Sequence, residues 1–342
     1  DTYTYETVTP EYSYQTGKAF GEFEAMLFDL QEPLGETIPN FHNMEFRMSQ
    51  LIEAVENDKF CRIDDPEEGD GRHPIDNDPD HSDEVIAMID EIDENSIEMC
   101  KAEQMFREGV LPKRICHCDT KVNNILFDKD GNVLCVIDLD TVMPSFIFSD
   151  FGDFLRTAAC TAAEDEPDTS KISFNMEIFK SFAKGYIESV GGFLTDMEKK
   201  NLPYAACMFP FMQAVRFLAD YLNGDVYYKT KYIDHNFVRA RAQMALFQSA
   251  MEHSKEMADY IVTATNGAIK SSATVTVANA ITRMEGLPVV ELDGAEASYS
   301  QNFDTMGNCP TLPEGWRTDG QDGYARTLGY FVLADDETQF GR

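Results

Sequence analysis

Residues 115–138, ICHCDTKVNNILFDKDGNVLCVID, place two short apolar runs, NILF and VLCVI, on either side of DKDG. Branched and aromatic residues at that density favour strand, and Gly131 can supply the positive φ of a tight connection, so the segment predicts a β-hairpin. A turn at residues 129–131 pairs positions whose numbers sum to about 261, which sets Asn124 opposite Ile137 and beside Asp138. Asp119 lies five positions before Asn124, in the loop that enters the strand. One carboxamide and two carboxylates therefore converge at the open end of the hairpin.

Hard oxygen donors of this kind suit Mg²⁺, which keeps several waters and often takes only one or two carboxylates plus substrate phosphates. A loop carboxylate outside the metal shell is free to accept a proton from a hydroxyl. Taken singly, Asp and Asn populate turns and caps near any strand. The order H-x-D-x-x-x-x-N, hairpin, apolar run, Asp is far more specific than its members. Zinc at Cys116-His117-Cys118 is not expected, because neighbours on a strand point to opposite sides and no second cluster completes four ligands.

Around the hairpin, apolar residues recur at helical spacing over 14–30, 46–56 and 85–108 before it, and over 150–163, 175–190, 196–222 and 235–260 after it. Asn223-Gly224 reads as a left-handed helix end. The expected fold class is α+β: a mainly helical lobe over 1–260 containing one small hairpin, then a short β-rich appendage over 261–342. That tail is rich in Val, Thr, Gly and Ala, in SSATVTVANAI, LPVVELDG and GYARTLGYFVLADDE, and holds the single tryptophan, Trp316.

With 61 acidic against 28 basic residues the chain carries a formal charge of −33, which disfavours nucleic acid and anionic lipid as partners. Residues 53–108 hold much of that charge, and DDPEEGDGRHPIDNDPDHSDE (64–84) has almost no apolar residue, so it reads as a flexible surface loop without EF-hand spacing. The eight cysteines lack paired C-x-x-C spacing and several sit in apolar runs, as reduced thiols would in a cytoplasm. No signal peptide opens the sequence, and no run of about 18 apolar residues offers a membrane span.

The hairpin pattern, with Ile137-Asp138-Leu139 closing it, resembles the catalytic segment of the protein-kinase-like phosphotransferases in the form used by their aminoglycoside phosphotransferase branch. ETIPNFHN (36–43), DTKVNNILFD (119–128), IDLDTVMP (137–144), SDFGDFLR (149–156) and RFLADYLNGDVYY (216–228) look like the N-acetylhexosamine 1-kinases and their relatives, over about residues 5–260. The resemblance implies ATP and Mg²⁺ as cofactors and a small-molecule sugar as acceptor, phosphorylated at its anomeric hydroxyl. Asp119 would be the base, and Asn124 and Asp138 the metal ligands. His117 would brace the loop. Lys121 would reach the transferred group or stand as an exposed loop lysine. Asp140, two residues beyond Asp138 and on the same side of an extended strand, would support the metal site. Asp150 would tie down the catalytic loop, although its position also suits a helix N-cap. Arg156, Arg216, Tyr221, Tyr227 and Tyr228 are candidates for the sugar, Arg216 and Tyr227 foremost, against ordinary roles in ion pairs and packing.

Complete members begin with a nucleotide-covering lobe that carries a strand lysine and its glutamate partner. This sequence is expected to lack it, since GKAFGEF (17–23) falls in a helical pattern and is not a phosphate loop. NFDTMGNCPTLPEGWRTDGQDGYA (302–325) resembles the opening of a secreted β-sandwich module, and a joined reading frame is one account of the pairing. The same fold also serves acceptors such as choline, ethanolamine, homoserine and aminoglycosides. A noncatalytic surface protein defined by its tail is the reading from another class.

Overall fold

The computed structural model describes residues 2–4, 8–30, 34–268, 316–318, 331–333 and 339–340. The chain divides into two compact units, Asp1–Ser271 and Ser272–Arg342. The second has, among its described residues, an antiparallel three-stranded sheet formed by Trp316–Thr318, Phe331–Leu333 and Gln339–Phe340 in that order. SSATVTVANAI, LPVVELDG, and most of the module-like segment lie outside the described residues.

The first unit is mainly helical. Four helices precede the strands: α1 (Pro10–Leu27), α2 (Met44–Asn57), α3 (Ser82–Met99) and α4 (Lys101–Arg107). Six follow: α5 (Phe148–Ala158), α6 (Met176–Val190), α7 (Asp196–Lys200), α8 (Leu202–Leu222), α9 (His235–Glu252) and α10 (Ser254–Ala268). Side-chain caps set several starts: Thr9 for α1, Asn43 for α2, Asn175 for α6, and a Thr195/Glu198 capping box for α7. Gly224, at φ +85°, closes α8 as its sequence suggests. α10 carries the helical pattern past the compositional change at residue 261, and Ile261 is buried in the core.

α8 is buried almost all round and forms the axis of the core, with α2, α5, α9 and α10 packed on it. α1 and α6 pack against each other along their lengths. Their approach depends on glycine: a Cβ on Gly17 would stand 2.3 Å from the Phe182 carbonyl oxygen, and one on Gly185 would stand 2.2 Å from that of Tyr14. GKAFGEF is thus a helix-packing segment, as its periodicity suggests, and its glycines serve backbone proximity.

Four short strands carry the site. β1 (Arg114–Cys116) pairs antiparallel with β4 (Met143–Ser145), and β2 (Ile125–Phe127) with β3 (Val133–Val136). The β2/β3 register is Ile125↔Val136 and Leu126↔Cys135, the sum of 261 expected, before a shift at Phe127. β1/β4 was not anticipated. Three-residue strands are too short to show a two-residue period, and Cys116 and Met143 bury themselves in a small separate cluster with Cys118.

The acidic segment between α2 and α3 is largely exposed, but it is tied down rather than loose. Asp58 accepts the backbone N–H groups of Arg62, Ile63 and Asp64 at 2.8–3.2 Å. Arg62 is buried between Asp78 (2.6 Å) and Asp225 (2.9 Å), with its guanidinium 3.7 Å from the Tyr221 ring centroid. A charge buried this way needs its partners, so the loop is anchored to the end of α8.

Gly17→Ala is expected to destabilise the protein by about 1–3 kcal/mol, because overpacking against a backbone carbonyl outweighs the roughly 1 kcal/mol gained by alanine in a helix interior. Denaturant unfolding measures this, and a stabilised variant would contradict the α1/α6 contact.

Candidate active site

Asp150 lies in the first turn of α5, fully buried. It does not cap that helix. Its two carboxylate oxygens accept the backbone N–H groups of His117 (2.8 Å) and Cys118 (2.7 Å), and its carbonyl accepts the Thr120 hydroxyl (2.8 Å). Cys118 takes φ +65° to aim its N–H there, a left-handed conformation that costs a residue with a Cβ about 1–3 kcal/mol.

His117 links that loop to the hairpin. Its Nδ1 accepts the Asp119 N–H (3.3 Å), so Nε2 carries the proton and donates to the Ile137 carbonyl (2.9 Å). Thr141 donates to the His117 carbonyl (2.8 Å), and Phe20 and Phe23 of α1 meet the imidazole edge-on. Both ring nitrogens are committed, which leaves none for a metal at Cys116-His117-Cys118.

The Asn124 amide donates to the Asp119 carbonyl (2.8 Å) and to its carboxylate Oδ2 (3.1 Å), while Lys121 pairs with Oδ1 at 2.5 Å. With its two amide hydrogens used, Asn124 keeps Oδ1 for another partner. The Ile137 N–H donates to the Asn124 carbonyl (2.9 Å), which brings Asp138 alongside. Asp138 is exposed, at φ +63°, and among the described residues no hydrogen bond or ion pair engages its carboxylate. This is an oxygen donor set suited to Mg²⁺. Asp140 requires a correction. β3 ends at Val136, Asp138 is left-handed, and residues 139–141 form a 3-10 turn, so the extended strand that would align Asp140 with Asp138 does not exist.

The acceptor candidates divide. Tyr221 is core, stacked on Phe237 with the Arg62 guanidinium over its ring, and belongs to the loop anchor. Arg156 pairs with Asp153 (3.4 Å) and Glu164 (2.9 Å). Arg216 donates through Nη1 to Gln213 Oε1 (3.2 Å) and lies 5.6 Å from the ring centroids of both Phe41 and Tyr228. Tyr227 is exposed and meets Tyr228 edge-on at 4.8 Å. Asp220 accepts the N–H groups of Val226, Tyr227 and Tyr228 at 2.8–3.1 Å and so fixes the turn that carries both tyrosines.

Several residues here carried no sequence signal. Asp153 is buried; burial pushes its carboxyl up, Arg156 pulls it down, and Asp119 is close enough to raise it. Its spacing from Asp150 and Arg156, three residues each way on α5, was the available clue. Glu24 of α1 is buried with its side-chain oxygen, the Cys116 sulfur and an Asp150 oxygen all within 4.8 Å of one another. Tyr186 donates to Glu24 Oε2 (2.6 Å), while Oε1 has no hydrogen-bond partner among the described residues. Burial, then the Asp150 charge, raises Glu24 well above the usual carboxylate range. Asp150 is itself raised by burial, opposed by the N–H groups it accepts. Burial and the neighbouring Asp150 charge therefore favour a proton on Glu24.

Residues 7–174 match the family described as Phosphotransferase enzyme family. Among solved structures, an ethanolamine kinase of Plasmodium vivax is similar at 13% identity and a TM-score of 0.45, over 71% of this chain and 62% of that one. A choline kinase of Cryptosporidium parvum follows at 12% identity and a TM-score of 0.41, over 77% of this chain and 72% of that one. A choline/ethanolamine kinase family protein of Mesorhizobium loti has 14% identity and a TM-score of 0.32, over 75% and 83%. The chain thus spans less than two thirds of the first of these.

Because Glu24 holds its proton more tightly folded than unfolded, its contribution to stability is full below the usual carboxylate range and is lost as pH rises through its folded value. Glu24→Gln can keep the Tyr186 bond with a group that cannot ionise. Unfolding free energies measured at about pH 5 and about pH 8.5 should show the wild type losing more than the variant. Parallel losses would contradict a protonated Glu24.

Proposed function

From the premise that residues 7–174 are a phosphotransferase-family domain of the aminoglycoside phosphotransferase and protein-kinase-like superfamily, we propose that the chain transfers the γ-phosphoryl group of ATP to the anomeric hydroxyl of an N-acetylhexosamine. The observation that carries this reading is the Asn124 amide held on Asp119 by two bonds, beside an Asp138 carboxylate that no described residue engages. In the transfer the Pγ–O bond to ADP breaks and a Pγ–O bond to the acceptor oxygen forms. The hydroxyl proton passes to the Asp119 carboxylate.

Asn124 Oδ1 and Asp138 are the donors that would hold Mg²⁺, which supplies neutralisation of charge on the nucleotide phosphates when bound. Lys121 orients the Asp119 carboxylate through their ion pair and adds a positive charge beside the reacting hydroxyl. His117, Thr141 and Asp150 keep the base in place through backbone contacts.

The acceptor assignment draws on the five sequence stretches that look like hexosamine kinases and on Arg216 standing with Tyr228 and Tyr227. Choline and ethanolamine, the acceptors named for the similar structures, are cations. Arg47 and Arg216, which have no carboxylate partner among the described side chains, would repel such a group, whereas an N-acetylated sugar carries no positive charge.

Asp119→Asn should slow phosphorylation of N-acetylglucosamine about 10²–10⁴-fold, the usual range for loss of a general base. Choline and an aminoglycoside, assayed alongside, should accept phosphate more slowly than the N-acetylhexosamine. An unchanged rate in the variant removes Asp119 as the base, and faster transfer to choline replaces the acceptor.

A further inference from the structure

Nearly every arginine whose side chain is described has a carboxylate: Arg62, Arg72, Arg107, Arg114, Arg156, Arg239 and Arg241 each form an ion pair within 4.0 Å. Arg47 and Arg216, among these described side chains, have none. In a chain with a formal charge of −33 that is an unusual omission, since acids outnumber bases by more than two to one.

The two unpaired guanidinium groups are not scattered. Both are attached to Phe41: Arg47 donates through Nε (3.2 Å) and Nη2 (2.8 Å) to its carbonyl, and Arg216 lies over its ring. They are close enough that Arg216 helps depress Arg47, whose pKa falls to about 10 chiefly through burial. Next to them the His42 imidazole, stacked on Phe41 at 4.3 Å, is held well below its usual range by burial and by Arg216, Arg47 and Arg156. Its Nδ1 is out of solvent and has no hydrogen-bond partner among the described residues. The remaining bonds of both arginines go to neutral oxygens, Gln50 Oε1 (2.8 Å) for Arg47 and Gln213 Oε1 (3.2 Å) for Arg216. The nearby acids are already engaged: Asp153 and Glu164 by Arg156, and Glu45 by Arg107.

Two like charges drawn partly out of water, with no counter-charge, oppose each other until an anion joins them. A planar guanidinium is also the side chain that best matches a carboxylate or phosphate, through paired N–H bonds. The electrostatic reach of the cluster extends toward the Asp119 end of the site. Arg216 adjoins Tyr228, Tyr228 and Asp153 both interact with Arg156, and Asp153 interacts with Asp119 and Lys121.

We infer that Arg47 and Arg216 form the binding site for an oxyanion carried by the acceptor itself, on a part of the molecule remote from the hydroxyl that is phosphorylated. This rests on the phosphotransfer reading above and narrows its acceptor to an acidic N-acetylhexosamine, bearing a uronic carboxylate or a phosphate ester. The neutral parent sugar would make the hydroxyl and ring contacts but leave the arginine pair uncompensated.

Calorimetry on the full chain, with N-acetylglucosamine, its 6-phosphate and its 6-carboxylate as titrants, tests the site. Either acidic sugar should bind at least about tenfold more tightly than the neutral one, a difference that falls as salt is raised from about 50 to about 500 mM because the charges become screened. The arm that binds more tightly identifies the oxyanion as phosphate or carboxylate. Arg47→Gln should bring the acidic sugar down to the affinity of the neutral one, with Arg47→Lys recovering part of the loss. Should Arg47→Gln fail to fold, the salt dependence of wild-type binding decides alone. Equal affinity for neutral and acidic sugars, or binding insensitive to salt, overturns the inference.

Turnover keeps the two readings apart. An acidic sugar that binds through the arginines yet takes no phosphate from ATP overturns the phosphotransfer reading and leaves the anion site in place. A neutral sugar phosphorylated more efficiently than both acidic ones overturns the anion site and leaves phosphotransfer intact.

Discussion

A buried carboxylate that accepts two consecutive backbone N–H groups is the contact on which the rest of the site depends. Asp150 offers no cap to its own helix; it reaches across to His117 and Cys118 and holds them in a conformation that Cys118 would not adopt unaided. Burying such a charge costs several kcal/mol unless hydrogen bonds compensate, and charge-assisted N–H bonds are among the strongest available. From there the constraint passes to His117, whose two ring nitrogens tie Asp119 to the end of β3, and then to Asn124, which grips Asp119 twice. Loop, hairpin and following turn are thereby fixed to α5 and, through Glu24 and the two phenylalanines, to α1.

The hairpin was legible because strand pairing is arithmetic. Once a turn is located, partner numbers follow, and Asn124 must fall beside Asp138. The same arithmetic fails where the chain leaves regular structure. Asp140 is misplaced by it, since a left-handed Asp138 and a 3-10 turn break the alternation that places i and i+2 on one side. β1 and β4 escaped for want of length. Helix positions were readable from periodicity, whereas the breaks at Cys100, Asn201 and His253 were not, because apolar spacing continues across them.

Residues that act through burial left the weakest trace. Glu24 lies in an amphipathic helix like any surface glutamate, and only the packing of α1 on α6, made close by Gly17 and Gly185, turns it inward. Tyr221 shows the reverse: an aromatic near a candidate site that the helix face commits to the core. Asp220 was invisible for another reason, as its work is to accept three N–H groups from a turn whose conformation the sequence does not specify. Charge tells a similar story. The overall acidity argues against polyanionic partners, yet Arg47, Arg156 and Arg216 all act on His42, and a net count hides a local reversal of sign.

The proposed phosphotransfer requires that the His117–Asn124 loop and the hairpin form an oxygen-donor site for a metal-bound nucleotide. Isothermal titration of Mg-ATP into the full chain, with Asp138→Asn as the comparison, addresses it most directly. Binding by the wild type that the substitution weakens at least about tenfold, or about 1.4 kcal/mol, is the expected result. Equal binding by both proteins, or none by either at millimolar nucleotide, would contradict the claim.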